Sequence, residues 1–223
     1  MKSNVKKQKK SWFLLLSMLF MIFSASLFAD DVSADQETLP AEVQLFNQAK
    51  QQFEAYNIDQ AKETIVKALE IKPDYLDAQI FLGDIFKHLQ EMELAEKAYK
   101  KALEISPDNL AVCLQLASVY VFLDQNDKAV EFYKKVIELD SANLTAHLGL
   151  GRFYDNQGNN EESFRFFEKA FEIDSTSGDA MFGMAQSLSS LGKDDEAIEL
   201  YKKAAKLGSA GAKSFLKFKK IEF

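Results

Sequence analysis

The stretch LDAQIFLGDIFKHLQEMELAEKAYKKALEISP, residues 76–107, decides the fold of this chain. Small and apolar residues recur at helical spacing in each of its halves, as Leu82, Gly83 and Phe86 and then as Ala95, Tyr99 and Ala102. Gly83 and Ala95 would let two helix backbones approach closely, and Tyr99 would fill the space beside them. Pro107 cannot continue the hydrogen-bond ladder of the second helix and so marks its end. The stretch therefore predicts two amphipathic helices joined by a short polar turn.

The same spacing recurs along the chain with a period of 34 residues. The small residue that opens the second helix recurs five times, as Ala61, Ala95, Ala129, Ser163 and Ala197. A large residue follows four positions later each time, as Ile65, Tyr99, Tyr133, Phe167 and Tyr201. The closing position holds Pro73 and Pro107 and then Ser141, Ser175 and Ser209, where serine is expected to act as the N-cap of the next helix. The sequence therefore predicts a stack of five helix pairs.

This pattern resembles the tetratricopeptide repeat, a helix-turn-helix unit of 34 residues with the signature W-x2-L-G-x2-Y, then A-x3-F, then P. In the second copy, Gln79 stands where the family has Trp, Phe86 where it has Tyr, and Tyr99 where it has Phe. The resemblance implies an all-α fold, a right-handed α-solenoid. The repeats are predicted at residues 42–75, 76–109, 110–143, 144–177 and 178–209.

Residues 210–223, AGAKSFLKFKKIEF, follow the last repeat and are predicted to form a capping helix. Four apolar residues are expected to share the face that covers the exposed end of repeat five, namely Ala212, Phe215, Leu216 and Phe223. Lys213, Lys217 and Lys220 would lie elsewhere on the helix. The alternative interpretation is a basic amphipathic segment that contacts anionic lipid or a partner.

Residues 1–29 have the layout of a secretory signal peptide. Five lysines precede an apolar run at residues 12–28, which ends among small residues and gives way to Asp30-Asp31. The alternative is an uncleaved anchor in which residues 12–29 contact the membrane. Because the basic leader stays on the cytoplasmic side, both interpretations predict export: to the periplasm or cell envelope if cleaved, at the cytoplasmic membrane if anchored. Residues 30–41, DDVSADQETLPA, are predicted to be an acidic linker.

Charge and residue types argue against several classes of function. Without residues 1–29, 22 basic and 34 acidic residues remain, and the resulting net charge of −12 would repel the phosphate backbone of nucleic acid. The single cysteine, Cys113, permits neither an internal disulfide nor a Cys-rich metal site. His88 and His147 lie at different positions of different repeats and share no helical face for a metal. The sequence therefore predicts no enzyme, metal site or cofactor site.

The family resemblance also implies that the first helices line a concave face, and it identifies the residues there position by position. The fifth position of each repeat supplies Phe46, Ile80, Leu114, Leu148 and Phe182. The ninth position supplies Lys50, Asp84, Ser118, Arg152 and Gln186. The twelfth and thirteenth positions add Lys87, His88, Phe122, Asp155 and Asn156. We call these fifteen the groove residues.

An apolar row flanked by polar groups suits an extended or helical peptide, which presents apolar anchors and backbone polar groups. Together with the predicted export, the family resemblance implies a non-catalytic protein-interaction scaffold in the bacterial cell envelope. Three alternatives stay open. They are an accessory protein anchored in the inner membrane, a solenoid that binds a small molecule or lipid in the groove, and self-association through the groove or through residues 215–223.

Overall fold

The computed structural model of the protein describes residues 39–223, and these form eleven α-helices and no strand. In chain order the helices are α1 (Ala41–Glu54), α2 (Ile58–Ile71), α3 (Leu76–His88), α4 (Met92–Ile105), α5 (Leu110–Phe122), α6 (Asn126–Leu139), α7 (Leu144–Asn156), α8 (Asn160–Ile173), α9 (Gly178–Ser190), α10 (Asp194–Lys206) and α11 (Ala210–Lys219). α1 begins one residue before the predicted start of the first repeat. The predicted signal peptide or anchor, and residues 30–38 of the predicted linker, lie outside the described residues.

The helices pack in chain order as five pairs. We call α1, α3, α5, α7 and α9 the first helices, and α2, α4, α6, α8 and α10 the second helices. Each first helix contacts the second helix of its own pair, and each second helix contacts the first helix of the next pair. α11 packs against α10 and α9. This arrangement confirms the predicted all-α solenoid. Between residues 39 and 223, none of the helices has both the length and the apolarity needed to cross a bilayer.

Glycines of the first helices bring neighbouring helices close together, as the sequence predicts. A Cβ atom built on Gly83 would lie 2.5 Å from Cε1 of Tyr99, and one built on Gly149 would lie 2.5 Å from Cζ of Tyr133. Both distances are far below van der Waals contact, so a larger residue fits only if the ring moves. Tyr99 belongs to the same pair as Gly83, whereas Tyr133 belongs to the pair that precedes Gly149. The glycines therefore permit close packing both within and between pairs.

Every first helix ends in the same left-handed turn. The second residue after the helix has a φ between +54° and +76° in each pair, and these residues are Tyr56, Gln90, Asp124, Gly158 and Gly192. The next amide donates a hydrogen bond to the carbonyl five residues earlier, as from Asn57 to Gln52 at 2.8 Å. This is the hydrogen bond of a Schellman cap, which favours glycine at the left-handed position. Only two of the five turns have that glycine, so the turn also forms where the residue type disfavours it.

The N-caps of the later first helices differ partly from the prediction. Three side chains accept a hydrogen bond from the backbone amide three residues further on, namely those of Asn109, Asn143 and Ser177. Ser141 and Ser175 lie two residues before the caps, so the prediction is wrong for both. The reason is that a short turn separates the closing position from the next helix. Ser209 is the N-cap of α11 as predicted, because its Oγ accepts from the amide of Ala212 at 3.3 Å.

α11 covers the end of the last pair with one face. Ala212 and Leu216 are fully buried, and the ring of Phe215 stacks on Tyr201 with 4.0 Å between centroids. The expectation that Phe223 shares this face is wrong. α11 ends at Lys219 because Lys220 takes a left-handed conformation with a φ of +57°, and the chain turns there. Phe223 lies beyond the helix and is 53% exposed.

Candidate functional site

No groove residue is buried in the structure. The fifth-position residues are all half-buried: Phe46, Ile80, Leu114, Leu148 and Phe182. Five groove residues are exposed, namely Lys50, His88, Phe122, Arg152 and Asn156. The other five are half-buried, namely Asp84, Lys87, Ser118, Asp155 and Gln186. The groove residues therefore combine partly sequestered apolar side chains with accessible polar ones.

Contacts between consecutive first helices connect the groove residues into a row. The rings of Phe46 on α1 and Phe81 on α3 lie 5.9 Å apart. Lys87 on α3 donates a hydrogen bond to Gln115 on α5, with 2.5 Å between Nζ and Oε1. A third contact joins α7 to α9, where Nη2 of Arg152 lies 3.4 Å from Oδ2 of Asp179. At these three junctions the first helices lie side by side.

Three residues in these contacts were not predicted as groove residues: Phe81, Gln115 and Asp179. Phe81 and Gln115 occupy the sixth position of their repeats, and Asp179 occupies the second. A helical stripe that includes the ninth position continues backwards through these positions, because residues three and four apart share a face. The spacing could therefore have identified them, had the stripe been extended towards the start of each first helix.

An aromatic cluster occupies the row in the first two repeats. Phe46 contacts Tyr75 and Phe81, with 5.3 and 5.9 Å between ring centroids. Phe53 contacts Phe81 at 5.5 Å and the imidazole of His88 at 5.2 Å. His88, predicted as a polar groove residue, thus lies against the edge of an apolar patch. Such a patch offers edges and faces to an apolar side chain of a partner.

Asp84 is a half-buried charged residue of the row. Its Oδ1 accepts a hydrogen bond of 2.6 Å from the hydroxyl of Tyr99. Burial raises the pKa of the Asp84 carboxyl, although the Tyr99 hydroxyl and the nearby Lys87 act in the opposite direction. Burial also raises the pKa of Asp155 further along the row. These carboxylates are partly desolvated, which strengthens their interaction with a donor that approaches from solvent.

Two exposed apolar residues stand at the middle of the row. Phe122 and Val121 end α5, and their exposed fractions are 61% and 50%. They follow Lys87 and His88 by one repeat and precede Asp155 and Asn156 by one repeat. An exposed apolar pair between polar neighbours is the pattern expected of a contact that a partner covers.

Cys113 and His147, the side chains that could take part in a reaction, lie outside the row and are buried. Cys113 is buried, and burial raises the pKa of its thiol. His147 is 5% exposed, and its Nε2 lies 3.0 Å from the carbonyl oxygen of Ser141. Gln79 is a different residue type at the same repeat position as His147. Its Nε2 donates a hydrogen bond to the corresponding carbonyl oxygen, that of Pro73, at 3.2 Å. Among residues 39–223, no group of three or more His, Cys, Asp or Glu side chains is arranged to hold a metal ion.

Comparisons with known proteins agree with this architecture. The tetratricopeptide repeat pattern matches residues 76–109, 110–143 and 144–177, and a second pattern of the same repeat matches residues 179–207. A comparison with curated protein sequences finds no match.

Several solved structures share the fold. The chain resembles MamA with a TM-score of 0.70 and 20% identity, over 78% of this chain and 94% of MamA. It resembles MamA from Desulfovibrio magneticus RS-1 with a TM-score of 0.70 and 16% identity, over 76% of this chain and 97% of the other. It resembles YrrB, described as a TPR protein with an unusual peptide-binding site, with a TM-score of 0.68 and 21% identity, over 85% of this chain and 97% of YrrB. At these identities the likeness concerns the fold.

Proposed function

The chain belongs to the tetratricopeptide repeat family, and from this we propose that it is a non-catalytic scaffold that binds a segment of another protein along the groove residues. The observation that carries the proposal is the row itself. All fifteen groove residues reach the surface, and the half-buried apolar residues recur once per repeat beside polar ones. YrrB, which shares the fold, is described as having a peptide-binding site, and this supports the same class of ligand here.

The row favours a protein segment over a small molecule. A small ligand is held in an enclosed, mostly apolar pocket that removes most of its surface from water. The groove residues extend over five repeats and alternate in character, which suits a chain with side chains at intervals. We expect Phe122 to be the main apolar anchor, since it is the most exposed apolar residue among them.

A photo-crosslinking experiment tests where the partner binds. Phe122 is replaced with p-benzoylphenylalanine in the native cells, and the matched control carries the same group at Leu139, an exposed residue at the end of the second helix α6. We expect one defined protein to be captured from position 122 and not from position 139. Capture of the same proteins from both positions, or of none from position 122, would refute binding along the row.

A pair of variants then separates binding from folding. The groove variant is Phe122→Ser with Arg152→Ser, and the control is Leu139→Ser with Lys134→Ser. All four side chains are exposed, and the ion pair of Arg152 with Asp179 is too exposed to contribute much to stability. Both variants should therefore keep the circular dichroism of the parent. The groove variant should lose the captured protein while the control retains it.

We also propose that the protein acts outside the cytoplasm, in the bacterial cell envelope. The basic leader, the apolar run at residues 12–28 and the small residues that end it support this. The intact mass of the protein isolated from its own cells is the test. A chain that begins at Asp30 is the cleaved form, and a full-length chain in the membrane fraction is the anchored form. A full-length chain in the soluble cytoplasmic fraction would refute export.

A further inference from the structure

The two ends of the chain differ sharply in charge. Residues 202–223 contain seven lysines and one glutamate, a net charge of +6, whereas residues 30–201 contain 15 basic and 33 acidic residues, a net charge of −18. Within residues 39–223, no ion pair involves any of the four lysines of the last eleven residues, Lys213, Lys217, Lys219 and Lys220. These four lysines are therefore not neutralised by ion pairs with the rest of the solenoid.

α11 separates its apolar and basic residues onto two faces. Its inner face is used by the fold, since Ala212 and Leu216 are fully buried and Phe215 stacks on Tyr201. Its outer face presents Lys213 and Lys217, which are both exposed. Sealing the last repeat requires only the inner face, so the cap does not account for the lysines outside.

The turn at Lys220 brings the last residues back along this outer face. Lys213, Lys217 and Lys220 line one open depression of about 480 Å³ together with Ile221, Glu222 and Phe223. Three lysines and one carboxylate, a local charge of +2, thus border the depression beside two apolar side chains. Phe218, on the flank of α11, is 81% exposed. A large aromatic residue so exposed beside lysines is not explained by packing within the chain.

We propose that this basic end, made of α11 and residues 220–223, docks on the surface of an anionic lipid bilayer. Lysines around a depression suit phosphate headgroups, and exposed phenylalanines on the same end suit the boundary between headgroups and acyl chains. An acidic protein segment would match the lysines but leaves the exposed Phe218 without a role. The strongly acidic remainder is repelled by an anionic surface, so the solenoid would stand with its C-terminal end towards the bilayer and its groove residues free.

The test is a lysine footprint of the full chain on vesicles. Amine acylation rates are measured by mass spectrometry with vesicles of equal parts phosphatidylglycerol and phosphatidylcholine, and with phosphatidylcholine alone. Because the apolar run at residues 12–28 can itself insert into vesicles, total binding is not the readout. We expect protection of Lys213, Lys217, Lys219 and Lys220 on the anionic vesicles only. Lys67, Lys97 and Lys134, exposed on second helices, serve as internal references and should stay reactive.

Two triple variants with the same change of net charge sharpen the test. The variant Lys213→Gln, Lys217→Gln, Lys220→Gln should lose the protection of Lys219. The anionic lipid concentration that half-protects Lys219 should rise on the order of a hundredfold, since each lysine near an anionic surface contributes roughly fivefold to the affinity. The control Lys67→Gln, Lys97→Gln, Lys134→Gln should keep the protection. Phe218→Ser should weaken docking by about tenfold, because an exposed Phe side chain no longer enters the interface.

Four footprinting results would contradict docking on an anionic bilayer. The proposal is overturned if anionic vesicles protect all lysines alike, if protection of Lys219 survives the Lys213, Lys217 and Lys220 substitutions, or if zwitterionic vesicles protect equally well. It is also overturned if poly-glutamate protects these lysines and anionic vesicles do not, since the basic end would then bind an acidic polypeptide. Circular dichroism checks that each variant is folded, and none of the substituted side chains is buried.

Discussion

Replacing Gly83 with alanine should destabilise the second helix pair, although alanine is the better helix former. The new Cβ would lie 2.5, 2.7 and 2.8 Å from Cε1, Cδ1 and Cζ of the Tyr99 ring. Relieving that contact requires a shift of about 1 Å between ring and helix. The ring has no room to move, because Tyr99 is fully buried and its hydroxyl is held by Asp84 at 2.6 Å.

The expected magnitude comes from two opposing effects. Overpacking a well-filled core costs about 1–3 kcal/mol, and displacing the Tyr99 hydroxyl from the Asp84 carboxylate weakens a hydrogen bond to a charged group that contributes about 1.5–3 kcal/mol. The higher helix propensity of alanine offsets about 1 kcal/mol. With the hydrogen bond weakened but not lost, the net change in the free energy of unfolding should therefore be a loss of roughly 1–3 kcal/mol, against about 1.5–5 kcal/mol if it were lost entirely.

A double-mutant cycle with Tyr99→Leu isolates the contact between the two residues. Leucine lacks the ring atoms that the new Cβ meets, so Gly83→Ala in that background should be neutral or stabilising by up to about 1 kcal/mol. Urea denaturation followed by circular dichroism gives the four stabilities. Because stacked repeats depend on their nearest neighbours, amide hydrogen exchange in α3 and α4 should report the same sign locally.

Two results would refute this reasoning. If Gly83→Ala were as stable as the parent with Tyr99 present, the glycine would not be required by close packing. If the loss were the same in both backgrounds, the ring of Tyr99 would not be its cause.

Five other substitutions, at four positions, test the electrostatics, the turns and the buried histidine. Burial raises the folded pKa of Asp84 above its ordinary value, so stability falls as the pH rises from the ordinary pKa through the folded one. Asp84→Asn should therefore raise the urea midpoint at neutral pH, and this gain should vanish in acid. A gain that is independent of pH would contradict the prediction. Gln90→Gly should stabilise the protein by roughly 1 kcal/mol and Gly158→Ala should destabilise it by a similar amount, because both residues have a positive φ, which favours glycine. Urea midpoints that move in the same direction for the two variants would be inconsistent with this reason. His147→Gln should keep the free energy of unfolding within about 0.5 kcal/mol of the parent, because glutamine makes the equivalent hydrogen bond in repeat two. His147→Ala should lower it by roughly 1–3 kcal/mol in thermal or urea unfolding. Equal losses for the two variants would show that the hydrogen bond is unimportant.

Part of the candidate site could be predicted from the repeat period. The period assigns each groove residue to a position on a first helix, and the structure leaves all fifteen at the surface. The cross-helix partners Phe81, Gln115 and Asp179 were not predicted, because which side chains meet across two helices depends on how far the helices are rotated and shifted against each other. Whether the groove residues bind a partner stays a prediction.

The repeat architecture follows from the sequence, because each helix packs on its neighbours in the chain, and the small residues that permit this recur every 34 positions. Gly83 opposite Tyr99 could thus be expected from spacing alone. The left-handed turns at Tyr56, Gln90 and Asp124 could not, since these residue types disfavour a positive φ and take it only because the helix ends around them are held by packing and hydrogen bonds. The end of α11 at Lys219 was likewise decided by tertiary structure. The inner face of α11 packs on the last helix pair only as far as that pair extends. Beyond it the chain turns at Lys220, and residues 221–223 lie beside Lys213 and Lys217.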